Sequence, residues 1–299
     1  MRNLCLGIAL TLSLTQMAMA ELANWGDLDK AFNRKGTTQG DMYKITFPRS
    51  DLNVKVGTVQ VKPDLALTSW LAFKPHGNDY MVMGDLVLAP SEVKPVEKAL
   101  IAKGFEIAAL HNHLIGSTPS VMYMHVDGYG SLQKLVTDIK AILKQTHTPM
   151  EKPSQAKHQA YDWSKVQALL GNKGKDKGQV IQFSFPRKEK ITDSGMEMPA
   201  FMGNATSVNF QAIGKQAATT GDFVLIADEV SPVVKALVNH DIEVTAIHNH
   251  MLHEEPRIFF MHFWGVDSPE KLAQGIKAAL QKTQVQESLC HDAGCSPNK

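Results

Sequence analysis

A chain of 299 residues with 43% hydrophobic side chains can bury a substantial core. Its 31 lysines and arginines stand against 30 aspartates and glutamates, so there is no basic excess of the kind that holds nucleic acid. Beyond the first twenty residues, no run approaches the ~18 apolar residues that a membrane-spanning helix needs.

The first twenty residues read as a secretory signal. Arg2 supplies the positive charge, residues 4–14 are apolar, and Ala18-Met19-Ala20 is a small-x-small cleavage site. The mature chain is expected to begin at Glu21 and to be periplasmic or secreted. Cys5 lies too early for a lipidation cysteine, which normally follows the apolar stretch.

Residues 21–146 form a first repeat. Trp25, Leu28, Ala31 and Phe32 have helical spacing and stop near Gly36. Strands are predicted over 42–47 and 80–88, and a helix over 92–103 with Val93, Val96, Ala99 and Leu100 on one face. Strands over 107–114 and 121–126 flank the turn residues Gly116-Ser117-Thr118-Pro119. A helix over 132–143 closes the repeat. Residues 147–160 are polar, contain two prolines and read as a linker.

Residues 161–283 repeat the pattern. Residues 84–146 align without a gap to 221–283, and 28 of those 63 positions are identical. Trp25 matches Trp163, and Phe47-Pro48-Arg49 matches Phe185-Pro186-Arg187. Two long copies are too few for a solenoid. The predicted fold class is α+β: an internal duplication in which each copy is an antiparallel sheet with helices packed on one face. Residues 284–299 form a polar tail with Cys290 and Cys295. In an oxidising compartment the expectation is a disulfide between them. A metal site that also uses His291 is the alternative.

The tripeptide His-Asn-His occurs in both copies, followed at equal distance by Met-His. The first set is His111, His113 and His125; the second is His248, His250 and His262. Alternate strand residues share a face, about 6.6 Å apart by strand rise. His111 and His113 therefore point one way, and a returning strand brings His125 beside them. In the second copy His248 and His250 share a face with Val244 and Ala246. Three imidazoles with an open fourth position make the pattern of catalytic zinc, so a divalent transition metal, zinc first, is expected in each half. Two other readings stay open: buried imidazoles tied to backbone or carboxylates, and histidines acting directly as acid–base groups. In HNH nucleases the three letters mark dispersed residues of a ββα element, which does not fit a contiguous strand tripeptide.

The second copy carries His253-Glu254-Glu255 where the first has Gly116-Ser117-Thr118. Glu254 is the candidate catalytic base beside metal-bound water; a solvated turn residue is the alternative. Met124 and Met261 precede the third histidines and face away, into the core. Asp85 and Asp222 open strands, and Glu92 and Glu229 fall in first helical turns, where a carboxylate caps and favours the dipole. Arg49 and Arg187 are candidate binders of a substrate carboxylate or phosphate, or else partners of Asp85 and Asp222.

With these residues in view, the chain resembles the LppY/LpqO family of bacterial exported proteins. The matching elements are FPR, GD-x-VL, the E-V-x-P-V helix, ALHNHL or AIHNHM, and P-x-x-x-x-MH. The resemblance implies an envelope protein without an established activity. Some members are lipoproteins, but no lipobox cysteine follows the signal core here, and the first copy lacks the Glu-Glu before the proline. The functional expectation is an exported metal-binding protein, with metal-assisted hydrolysis as its chemistry. The competing expectation is a non-catalytic envelope binding module for a small molecule or cell-wall component.

Overall fold

The computed structural model describes residues 25–151 and 160–285. The signal sequence, residues 152–159 and the tail bearing Cys290 and Cys295 lie outside the described residues. The first repeat runs α1 (Trp25–Ala31), β1 (Thr37–Gln39), β2 (Met42–Pro48), β3 (Lys55–Val56), β4 (Val59–Gln60), α2 (Pro63–Ala66), β5 (Thr68–His76), β6 (Asp79–Leu88), α3 (Pro90–Ala102), β7 (Glu106–His111), β8 (Ser117–Thr118), β9 (Met122–Gly130) and α4 (Leu132–Leu143). The second runs α5 (Ser164–Leu170), β10 (Lys175–Asp176), β11 (Val180–Pro186), β12 (Thr192–Asp193), β13 (Met196–Glu197), a 3-10 turn (Ala200–Met202), β14 (Ala205–Ile213), β15 (Gln216–Ile226), α6 (Ala227–Val238), β16 (Glu243–His248), β17 (Glu254–Glu255), β18 (Ile258–Asp267) and α7 (Pro269–Leu280).

Each repeat builds one six-stranded sheet, ordered β1-β2-β5-β6-β9-β7 and β10-β11-β14-β15-β18-β16. Every pairing is antiparallel. The pleat assigns the faces. In β2, Tyr43, Ile45 and Phe47 join the core under the helices, together with Leu71, Phe73, Val82, Leu86, Met124 and Val126 from the neighbouring strands. Helix α4 buries Leu135, Val136, Ile139, Ile142 and Leu143 against them. The second repeat packs Ile181, Phe183, Phe223, Met261 and Phe263 under its helices in the same way. Met124 and Met261 are thus core residues, as their parity predicts.

The opposite faces of the two sheets meet each other. Between β2 and β5, and between β11 and β14, the chain makes an excursion that crosses to the other repeat. Val54, Val59, Val61, Leu65 and Leu67 of the first excursion pack with Ala218 and Trp264 of the second repeat. Ile191, Met198 and Met202 of the second excursion pack with Met42, Ala72, Met81 and Met83 of the first. Polar groups fasten the exchange: Asn209 Nδ2 donates to the Leu65 carbonyl at 2.9 Å, Gln182 Nε2 to the Asp64 carbonyl at 2.7 Å, and Gln211 Nε2 to the Gln60 carbonyl at 2.8 Å. The order of layers is therefore helices, sheet, sheet, helices.

Strands β5 and β14, which lie inside their sheets, are not among the predicted elements. The strand predicted over 107–114 is shorter, since regular pairing ends at His111. The first part of the expected linker is built into the first repeat: Arg34 Nη1 donates to the Thr46 carbonyl and Nη2 to the Pro149 and Glu151 carbonyls, and the His147 amide donates to Glu92.

Gly84 and Gly221 occupy matching positions in β6 and β15, just before the aspartates. A Cβ on Gly84 would lie 2.2 Å from the Trp70 carbonyl oxygen, and one on Gly221 would lie 2.0 Å from that of Ser207. The obstacle in each case is backbone, which cannot rotate aside. Either Gly→Ala change should lower stability by about 1–3 kcal/mol or more, as overpacking does, and urea denaturation of each variant measures it.

Candidate functional site

Two strand irregularities aim the histidines inward. Ile107, Ala109 and His111 would share a face in a regular strand, and so would Val244, Ala246 and His248. In each copy a bulge intervenes: Ile107 pairs with Val126 but Ala109 with His125, and Val244 pairs with Phe263 but Ala246 with His262. The extra residue shifts the alternation. Ile107 and Val244 then pack into the helix-side cores, while the histidines face the other sheet. This corrects the expectation that His248 and His250 share a face with Val244.

The expectation of one separate cluster in each half is also corrected. All six side chains meet where the two sheets face each other. They stack in pairs across the repeats: His111 on His248 at 3.7 Å between ring centroids, His113 on His262 at 3.5 Å, and His125 on His250 at 3.6 Å. The last two pairs exchange when the repeats are exchanged, so the cluster sits on a pseudo-twofold axis. Tyr123 covers His113 at 3.4 Å and Phe260, its counterpart, covers His250 at 3.3 Å. Nε2 of His111 lies 2.9 Å from Nε2 of His113 and 3.3 Å from Nε2 of His262.

Backbone contacts fix the cluster. The His262 Nδ1–H donates to the Gly221 carbonyl at 2.7 Å, which leaves its Nε2 turned into the cluster. Thr245 Oγ1 donates to the His113 carbonyl at 2.8 Å, and Asn249 Nδ2 to the Ala108 carbonyl at 2.9 Å. The asparagine between two histidines of one repeat thus holds the bulge residue of the other. Asn112 instead accepts from the Leu114 amide and shapes its own turn.

Asp85 and Asp222 are not the strand openers that their positions in the sequence predict. They lie inside β6 and β15, opposite His125 and His262, and face the cluster. Asp222 Oδ2 is 3.0 Å from His250 Nε2, without hydrogen-bond geometry, and its Oδ1 is 3.7 Å from His262 Nδ1. Asp85 Oδ2 is 3.8 Å from His113 Nε2. Their signal in the sequence was the repeated Gly-Asp inside an otherwise apolar strand.

Among the described residues, seven imidazole nitrogens are buried without a hydrogen-bond partner: Nδ1 of His111 and both nitrogens of His125, His248 and His250. Among the described residues, three sets of donor atoms lie within 4.8 Å of one another: Asp222 with His248, His250 and His262; His111, His113 and His262; His111, His125 and His248.

Burial holds the imidazoles neutral. It is the leading cause that pushes His111 down to about 2, with His262 and His250 adding repulsion. The other five are also lowered, first by burial. Burial pushes Asp85 up to about 8, helped by Asp222, and Asp222 up to about 6 against the pull of His262.

Glu254 is placed elsewhere. Both its oxygens accept from Arg257 Nη1, at 2.9 and 3.0 Å, and Oε1 also accepts from the Ile258 amide. Its residue pairs with Asp193 in the small β12–β17 ladder, and it belongs to none of the three donor sets. The structure gives it a structural ion pair and not the position of a base above the histidines.

Arg49 and Arg187 are likewise buried and engaged. Arg49 donates to both oxygens of Glu92 at 2.8 and 3.0 Å, to both oxygens of Asp51, and to the Val87 carbonyl. Arg187 donates to Glu229 and to the Val224 carbonyl. The substrate-binding expectation and the pairing with Asp85 or Asp222 both give way to this fork. Glu92 and Glu229 keep their capping role, accepting from the Ala89 and Ile226 amides. One partner of each arginine, Asp51 or Glu189, lies two residues on, while the buried one, Glu92 or Glu229, is set by the fold.

A cavity of about 490 Å³ between the sheets reaches the cluster. Its inner end is lined by Asp85, Asp222, His113, His125, His250 and His262.

Two outcomes follow from this geometry. An imidazole whose folded pKa lies below 6.5 takes up a proton on unfolding, so its contribution is complete above 6.5 and is lost as pH falls. Asp85 and Asp222 act oppositely, losing stability as pH rises towards 8 and 6, but the imidazoles outnumber them. The metal-free chain should therefore unfold at lower urea at pH 5 than at pH 7.5, by up to about 1.4 kcal/mol per pH unit for each net proton. Separately, Glu92→Gln removes one of the two carboxylates that hold the buried Arg49 guanidinium and leaves Asp51 in place, and should cost about 1.5–3 kcal/mol in the same assay.

The sequence profile of a domain of unknown function (DUF1259) matches residues 26–145 and again residues 164–282. The chain belongs to that family and carries its domain twice. No curated protein matches it. Among solved structures it is similar to PduB, a trimeric bacterial microcompartment shell protein, at 11% identity over 85% of this chain and 96% of that chain, with a TM-score of 0.21. It is also similar to EtuB from Clostridium kluyveri, at 9% identity over 83% of this chain and 89% of that chain, with a TM-score of 0.20.

Proposed function

From a family with no assigned activity, we propose a metal-dependent protein whose single centre is shared by both repeats. The observation that carries this reading is the set of seven buried imidazole nitrogens without hydrogen-bond partners. Buried polar atoms are costly unless something satisfies them, and a divalent transition metal would satisfy several at once. Imidazole with one carboxylate suits zinc first.

His248, His250, His262 and Asp222 are the four-donor set, so the second repeat supplies the larger share. His111, His113 and His125 complete the centre from the first. The hydrogen bond from His262 Nδ1 to Gly221 is the second-sphere contact that fixes a ligand's tautomer.

A bound ion supplies Lewis acidity at the inner end of the cavity. Asp85, outside the four-donor set and with Oδ1 unpartnered, offers a carboxyl that can give or take a proton there. Glu254, held by Arg257, plays no part. The cavity reaching the cluster favours hydrolytic chemistry on a small molecule over a closed binding module. The signal reading of residues 1–20 and the resemblance to LppY/LpqO proteins support an envelope location.

Elemental analysis after mild purification and zinc reconstitution tests the centre. The wild type should hold metal; His248→Ala/His250→Ala and His111→Ala/His113→Ala should both lose most of it, while Glu254→Gln should retain it. Independent sites would leave half the metal in each double variant. A wild type that binds none would sink the reading.

A further inference from the structure

The cavity runs from exposed residues at its rim to the buried histidines. Its lining includes Lys35, Thr46, Lys175 and Ser184, all exposed, and deeper in Lys44, Trp70, Gln182, Ser207 and Asn209. Asp64 faces Lys177 and pairs with it. Lys35, Lys44 and Lys175 have no carboxylate partner among the described residues. The outer part of the cavity is therefore positive, and the carboxyls Asp85 and Asp222 lie at the other end, against the histidines.

Lys44 is the built element. It sits on the inner face of β2, next to Thr46. Its Nζ lies 4.4 Å from the ring centroid of Trp70 and 5.1 Å from that of Phe201. One ring comes from each repeat. Gly203, at φ +98°, leaves room for the indole: a Cβ there would lie 2.6 Å from it. Rings on two sides hold the ammonium in place but leave its hydrogen-bonding capacity unspent. Burial lowers Lys44 to about 8, which is the mark of a cation held out of water.

We propose that this cavity binds a small organic carboxylate, with its anionic group on Lys44 and its other end directed at the histidine centre. This rests on the proposed metal centre only for what happens at the inner end. The volume suits a small molecule. A carboxylate is favoured over a phosphate because the lining contains no arginine and no helix N-terminus longer than the four-residue α2, the groups that usually recognise phosphate. The Ser207 and Thr220 hydroxyls along the walls suit a hydroxylated or otherwise polar body, joined by the side-chain oxygens of Gln182 and Asn209, whose amide nitrogens already donate to the Asp64 and Leu65 carbonyls. Lys44 corresponds to Gln182, and Trp70 to Ser207, by their matching register in the two sheets. The anion site is thus where the two repeats diverge, while the cluster is where they agree.

The test uses the full mature chain, both metal-free and zinc-loaded, titrated calorimetrically with acetate, succinate, citrate, succinamide and inorganic phosphate. At least one carboxylate should bind the metal-free protein. Succinamide should not. Lys44→Met should weaken carboxylate binding at least tenfold while leaving zinc content and the urea midpoint near wild type, and Lys44→Arg should restore part of it. Failure of zinc to bind, with carboxylate binding intact, would overturn the centre but not this site. Binding of no carboxylate to either form, equal binding of succinamide, preference for phosphate, or an unchanged affinity in Lys44→Met would each overturn the proposal.

Discussion

Six neutral imidazoles buried between two sheets are the constraint on which the rest of this structure depends. A lone buried histidine is easily satisfied by a carbonyl or a carboxylate. Six at ring separations of 3.5–3.7 Å across the repeats have too few protein partners to go round. The surroundings can be read as the scaffold that enforces this crowding. Bulges turn the strands, glycines at 84 and 221 allow close approach, and the crossed excursions clamp the sheets together. A chain free to relax would separate these rings or hydrate them.

The duplication and the six histidines were legible in the sequence because both depend on spacing. Parity also placed Met124 and Met261 in the core correctly. The merging of two clusters into one was not legible from spacing. Its trace lay in residues 81–88, which are buried on both faces, as happens when a sheet is covered on both sides. One face belongs to the helices and the other to the second repeat. A sheet with helices packed on one face gives no reason by itself to bring the repeats together.

Charged residues divided less predictably. Asp85 and Asp222 looked like local structure and proved to face the histidines. Arg49 and Arg187 looked like ligand binders and proved to be internal ties to Glu92 and Glu229. Local sequence offers only the nearer partners, Asp51 and Glu189, two residues on; the buried partners that complete each fork are 43 and 42 positions away. Lys44 and Trp70 carried no motif at all; only the register of the sheets places them in the cavity.

The position of the histidines on a pseudo-twofold axis has a further consequence. Two identical copies of one repeat, related by a true twofold, would present the same six imidazoles to one another, and each excursion would reach across the same way. Such a self-complementary contact is the ordinary geometry of a homodimer. Fusing the copies keeps that centre while allowing one wall of the cavity to change without the other. Symmetry then holds only at the axis, and the freedom gained off the axis is visible where lysine and tryptophan on one side face glutamine and serine on the other.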